Sequence, residues 1–119
     1  MVEGVRLTRG GVYLARLDPV KGAEVGKLRP VVVLTDDVLL QVAPAHVFIC
    51  PLSSQSEPAY EALHLPLSAR DNLRTRSFAL VEHCRAVSVR RLRNERLAQL
   101  DAGEVNEIAR RLQRMIGLS

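Results

Sequence analysis

Arg29 lies at the end of a polar loop, directly before Pro30 and the β-branched run Val31, Val32 and Val33. A guanidinium at the mouth of a rigid strand presents a planar fork that binds two nonbridging oxygens of one phosphate or carboxylate at once. Ser53 ends another apolar run, VFICPLS, with a hydroxyl that both donates and accepts. Glu24, in the loop before Arg29, offers a carboxylate that can act as a base or hold Arg29 in an ion pair. Lys21 and Lys27 add positive charge to the same loop, and Glu82, His83 and Arg85 form a second polar cluster in the segment EHCR. A base, an acid and a cation around one phosphate or carboxylate are groups that can move protons and steady developing negative charge without a metal. Each residue also has a plainer reading. Arg29 can pair a loop carboxylate, Ser53 and Ser54 can be turn residues, and His83 can be a hydrogen-bonded strand histidine.

The elements that must position these groups are short strands. Gly11 to Leu17 reads as a strand with Val12 and Leu14 on one face and Tyr13, Ala15 and Leu17 on the other, covered on both sides. Pro30 to Leu34 is a central strand, and the polar loop joins the two. Thr35 or Asp36 caps a short helix through Asp37 to Val42, ended by Pro44. A third strand, His46 to Leu52, stops at SSQSEP. A fourth is expected over Tyr60 to Leu65, then a helical turn over Ser68 to Leu73 with Ser68 as its cap. Phe78 to Val89 reads as one long bent strand, Arg90 to Arg93 as a single turn, and Glu95 to Leu100 as the last strand. Asp101 opens the only long helix, to Leu118, with Glu104 three residues on as capping-box partner and Val105, Ile108, Leu112 and Met115 at helical spacing.

Composition sets limits. With 119 residues, the chain is expected to form a single domain over residues 1–119. Apolar residues are 47% and aromatics 3%, so the core must be built from aliphatic side chains, which suits layered strands better than a cofactor cavity, and no cofactor is expected. No apolar run is long enough to cross a membrane and the N-terminus lacks an apolar signal core, which points to the cytoplasm. Residues 1–69 hold six basic and seven acidic groups and residues 70–119 eleven and six, so the surplus of positive charge lies in the second half. Fifteen of the seventeen basic residues are Arg, which suits an anionic partner, nucleic acid or acidic peptide. Cys50 and Cys84 read as buried residues of a reducing compartment. His46 and Cys50, four apart on a strand, would lie about 13 Å from one another, so no metal site is expected. His46 and His64 read as structural, and the four aromatics, Tyr13, Phe48, Tyr60 and Phe78, as core.

Several blocks occur in a recognisable order: RGGVYLARLDP, KGAEVGKLRPVVVLT, VFICPLSSQ at Val47 to Gln55, FALVEHCRAV at Phe78 to Val87, and the closing helix. Together they resemble the MazF/PemK family of toxin endoribonucleases over nearly the whole chain. The resemblance implies a mainly β, small SH3-like antiparallel barrel with short helices and one C-terminal helix. It implies the toxin of a type II toxin-antitoxin system, an mRNA interferase that cuts single-stranded RNA to 2′,3′-cyclic phosphate and 5′-hydroxyl ends. It also implies a homodimer and a MazE-like antitoxin whose acidic tail blocks the groove. It assigns Arg29 as the principal catalytic arginine, Ser53 as the hydroxyl that contacts the scissile phosphate, and Glu24 as the loop acid, with Lys21, Lys27, Glu82, His83 and Arg85 binding RNA or supporting the site. The sequence departs from the family pattern at Gly11, where an acid is common, at Val25 and His83, where Gln is usual, and at Ser53, usually Thr. Two other readings are a non-nuclease toxin of the same fold that inhibits a protein target such as gyrase, and a nucleic-acid-binding barrel without activity.

Overall fold

The computed structural model describes residues 7–17 and 27–118. Seven strands form one antiparallel, strongly bent sheet: β1 (Gly11–Arg16), β2 (Leu28–Val33), β3 (His46–Ser53), β4 (His64–Leu67), β5 (Ser77–Leu80), β6 (Arg85–Ser88) and β7 (Leu92–Gln99). Their spatial order is β4-β5-β3-β2-β1-β7, with β6 also paired to β3. The long strand β3 therefore serves two neighbours on one edge, β6 along His46 to Ile49 and β5 at Leu52 and Ser53. A short helix, α1 (Asp37–Leu40), follows β2, and the long helix α2 (Ala102–Met115) closes the chain.

Alternation along the strands builds a core on each face of the sheet. Val12, Val32, Cys50, Leu52, Val81 and Ala98 meet Val105 and Ile108 of α2 on one face. Tyr13, Ala15, Leu17, Val31, Val33, Val47, Ile49, Val87 and Leu92 gather on the other. The strands β1 and β2 are thus buried on both sides, as their near-continuous apolar sequences require. Burial pushes the Cys50 thiol well above its ordinary pKa, and neighbouring Cys84 adds to the effect.

The start of β1 is set by two glycines. Gly10 has φ +86°, and a Cβ there would lie 2.8 Å from Gln99 Nε2 and 2.9 Å from Val105 Cγ2. Its amide donates to Val33 O and its carbonyl accepts from Leu100, so the backbone itself locks the strand against β2 and the root of α2. At Gly11 a Cβ would fall 2.7 Å from the Tyr13 ring. The Tyr13 hydroxyl occupies that space and accepts from the Thr8 amide at 3.1 Å. The Tyr13 ring thus fills the place where a side chain at position 11 would stand.

The capping box at α2 is present in full. Asp101 Oδ1 accepts from the Glu104 amide at 2.8 Å, and Glu104 Oε1 accepts from the Asp101 amide at 3.0 Å. At α1, Asp36 is the N-cap but its side chain makes no capping bond, and Asp37 Oδ1 instead accepts from the Arg9 amide.

Four sequence expectations are corrected. The fourth strand is His64–Leu67 rather than Tyr60 to Leu65, because Pro58 starts a 3₁₀ turn (Pro58–Tyr60) and Pro66 sits within the edge strand β4. Ser68 to Leu73 is no helical turn: Arg70 and Leu73 pair as a bridge, and Asp71 between them has φ +49°. The long bent strand over Phe78 to Val89 is broken into β5 and β6 by a 3₁₀ turn, Val81–His83. The last strand is longer than expected, beginning at Leu92 where Val89–Arg91 ends a further 3₁₀ turn.

Candidate active site

One row of residues crosses the sheet on the face opposite α2. Leu92 pairs with Ala15 and Ala15 with Arg29. The β2–β3 ladder ends at Val31 with Pro51; Arg29 lies two residues before that pair and Ser53 two after it, on the same face at the same end of the two strands. Ser53 in turn pairs with Phe78, and Phe78 with Pro66. Directly paired residues of an antiparallel sheet share a face, so the row is buried at Leu92 and Ala15, half-buried at Arg29, Ser53 and Phe78, and open at Pro66.

Arg29 Nη1 donates to Leu52 O at 3.2 Å, the carbonyl immediately before Ser53. This bond lays the guanidinium toward the end of β3. Ser53 Oγ accepts from the Gln55 amide at 3.1 Å, a local turn bond that fixes the hydroxyl and bends the chain away from the strand. The turn reading of Ser53 is what this bond shows, and the turn begins next to the carbonyl that Arg29 holds. The loop stem is closed by Leu17, whose amide donates to Lys27 O at 2.9 Å. Lys27 itself is exposed with φ +64°, a conformation that costs a non-glycine residue about 1 kcal/mol or more. Glu24 and Lys21 lie outside the described residues.

The EHCR cluster departs from what an ideal strand predicts. Glu82 and Arg85, three apart, would face opposite ways on a continuous strand. The turn at Val81–His83 resets the alternation, and Arg85 opens β6 opposite Ile49 on the same face as the Arg29 row. Glu82 points to a residue that sequence reasoning left without a partner. His64, 4% exposed, has its Nε2 2.7 Å from Glu82 Oε2 and its Nδ1 2.7 Å from Ser56 Oγ. His83 Nε2 is 3.8 Å from the same carboxylate. Arg111 Nη1 donates to the His64 carbonyl at 2.9 Å, so α2 holds the strand that carries this histidine.

A cleft of about 510 Å³ adjoins the row, lined by Ser56, Pro58, Glu61, His64, Pro66, Arg76, Phe78 and Arg111. The Arg76 guanidinium lies 5.5 Å from the centre of the Phe78 ring. Phe78 and Phe48 are half-buried and Tyr60 is 47% exposed, so of the four aromatics only Tyr13 belongs wholly to the core. A second cleft, about 430 Å³, is walled by Arg16, Arg90, Arg91 and Arg93 with Leu28 and Leu92. Arg91 Nη1 donates to Arg16 O at 3.0 Å. This clustering gives the arginine surplus of the second half a location next to the strand pair that carries Arg29. Sequence spacing gave no sign of Ser56, His64 or Arg76, because the turn through Pro58 and the pairing of β4 with β5 create their proximity.

The family model for the PemK-like, MazF-like toxin of type II toxin-antitoxin systems matches residues 8–116. The chain belongs to this family. Among solved structures it is similar to MazF from Deinococcus radiodurans, with 25% identity and a TM-score of 0.78 over 92% of this chain and 96% of the other. The MazE-MazF structure from the same organism matches at 25% identity and a TM-score of 0.74, covering 96% and 98%. The Mycobacterium tuberculosis toxin MazF-mt6 shares the fold at 21% identity, with a TM-score of 0.74 over 92% and 98% of the two chains. The small, open, barrel-like sheet with a C-terminal helix is thus the architecture of MazF toxins.

Proposed function

We propose that this MazF-family toxin is an endoribonuclease that cuts single-stranded RNA without a metal, leaving a 2′,3′-cyclic phosphate and a 5′-hydroxyl. The observation that carries the reading is the juxtaposition of Arg29 and Ser53 across β2 and β3, on an open sheet face, with the guanidinium turned toward the Ser53 end. Arg29 supplies the charge that steadies a pentavalent phosphorane and Ser53 a hydrogen bond to the same phosphate. Glu24 enters from the loop as base or as a partner of Arg29. Phosphates flanking the cleaved linkage find guanidinium groups at the Arg16, Arg90, Arg91 and Arg93 cleft. Lys27 and Arg85 extend the positive lining.

The working form in this reading is a cytoplasmic homodimer, held inactive by an antitoxin of the MazE type. The solved MazE-MazF complex of Deinococcus radiodurans supports such a partner. The test is incubation of the purified protein with a long RNA in EDTA, with cut sites mapped by primer extension and end groups identified by mass spectrometry. Discrete cuts carrying cyclic phosphate, abolished by Arg29→Ala, are expected. No cuts, or cutting unchanged in Arg29→Ala, overturns the assignment, and inhibition of DNA supercoiling without RNA cleavage favours the gyrase-directed alternative.

A further inference from the structure

Ser56, His64 and Glu82 form a chain of hydrogen bonds that begins inside the protein and ends at a cleft. The imidazole is 4% exposed, so it has almost no surface of its own to offer a ligand. A carboxylate only accepts, which places the ring hydrogen on Nε2, facing the Glu82 oxygens at 2.7 and 2.9 Å. In the neutral ring Nδ1 is then an acceptor, and Ser56 Oγ, 2.7 Å away, donates to it. Ser56 is exposed and lines the cleft together with Phe78, the residue paired with Ser53. Carboxylate, imidazole and hydroxyl thus stand in the order that raises the basicity of a serine oxygen.

Position supports the same use. His64 pairs with Leu80, two residues along β5 from Phe78, and so shares the face of the Arg29 row. It stands two strands across and two residues along from Ser53, about 12 Å from backbone to backbone, and Ser56 follows Ser53 by three residues in the chain. The ionisable groups around the imidazole are Tyr60, whose ring stacks on it at 6.0 Å, Glu82 and His83 from the turn after β5, Arg111 from α2, and Arg76 and Glu61 at the cleft wall.

We propose that these three residues are a proton relay for RNA cleavage, with Ser56 Oγ the atom that meets the substrate. The proposal rests on the ribonuclease reading above and names its base. The ribose 2′-hydroxyl gives its proton to Ser56 Oγ while Ser56 passes its own proton to His64 Nδ1, and Glu82 steadies the imidazolium so formed. The 2′-oxygen bonds to phosphorus held by Arg29, the bond from phosphorus to the 5′-oxygen breaks, and that oxygen takes a proton from water. His64 returns its extra proton to solvent through Ser56, which restores the starting state. Ser56 is the catalytic residue in this scheme, and His64 and Glu82 act through it.

The test measures kcat, KM and the solvent deuterium isotope effect on an RNA oligonucleotide that the wild-type protein cuts. Ser56→Ala is expected to lower kcat about 100-fold with little change in KM, and to lose most of the isotope effect. Ser56→Thr keeps the hydroxyl and restores most of the rate. His64→Gln is expected to fall as far as Ser56→Ala, and the double variant no further. Melting temperature and affinity for a 2′-deoxy analogue at the cut position check that Ser56→Ala remains folded and binds normally. Ser56→Ala cutting at the wild-type rate, or with an undiminished isotope effect, overturns the relay alone. A wild-type protein that makes no cuts overturns the ribonuclease reading and the relay with it.

Discussion

The two faces of the sheet are built from the same strands and put to opposite uses. Beneath α2 the strong polar groups find partners within the chain. Arg70 grips Glu104 through both nitrogens at 2.5 and 2.7 Å, Glu104 completes the capping box with Asp101, and Glu107 pairs with Arg110 and Arg111. On the other face the row that starts in a dry core at Leu92 and Ala15 emerges at Arg29, Ser53 and Phe78, where half-buried groups border open clefts. One face is closed by side chains from its own helix, while the other keeps its guanidinium groups where an anion can reach them. The two faces therefore differ at their rims rather than in their cores, since each buries its own apolar cluster.

Substitutions should expose that difference. Ile108→Ala, at a fully buried position under α2, is expected to cost about 3–4 kcal/mol of stability by leaving a cavity. Chemical denaturation measures it, and cleavage per folded molecule should stay close to normal. Arg29→Ala reverses the pattern: a loss of about 10²–10³-fold in kcat, equivalent to about 3–4 kcal/mol of transition-state stabilisation, with little change in melting temperature. If Arg29→Ala instead melts the protein, the open face is structural and the contrast fails. Ser53→Ala should cost about tenfold in kcat, read in the same assay. Asp101→Ala removes the side-chain half of the capping box and is expected to destabilise by about 1 kcal/mol without touching cleavage.

The finest probe of the closed face is acid. Arg70 holds the Glu104 carboxyl below its ordinary value, burial opposes the shift, and the Asp101 amide reinforces it. A depressed folded-state pKa means the pair's contribution is complete above the unfolded value, about 4.3, and is lost as pH falls through the lower folded value. The stability gap between the wild type and Glu104→Gln should therefore be level above about pH 5 and close below about pH 4. A gap that widened on acidification would contradict the pairing.

Much of this arrangement was legible in the residues themselves. The β-branched run after Arg29 and the alternation in Gly11 to Leu17 marked strands buried on both sides, and Asp101 with Glu104 announced the start of α2. Arg29 and Ser53 were readable as candidates through the resemblance of LRPVVV and VFICPLS to the family's blocks. Their nearness was not, since it depends on how β2 and β3 pair. His64 shows the limit more sharply. Its partners are eight residues before it and eighteen after it, and only the turn at Pro58 and the pairing of β4 with β5 bring the three together. Pro66 misled in the same region, because proline signals the end of a strand in isolation but is tolerated on an exposed edge.

The 3₁₀ turn at Val81–His83 works as a phase shifter. Strands count in twos, and this three-residue interruption lets β5 and β6 lie along one edge of β3 while offsetting which residues point up or down. A one-residue deletion there would leave hydrophobicity and charge almost untouched yet turn Arg85 and Val87 together to the opposite face and bring Ala86 and Ser88 into their place. The protein's most vulnerable dimension is thus its counting across three residues, rather than the composition of either face.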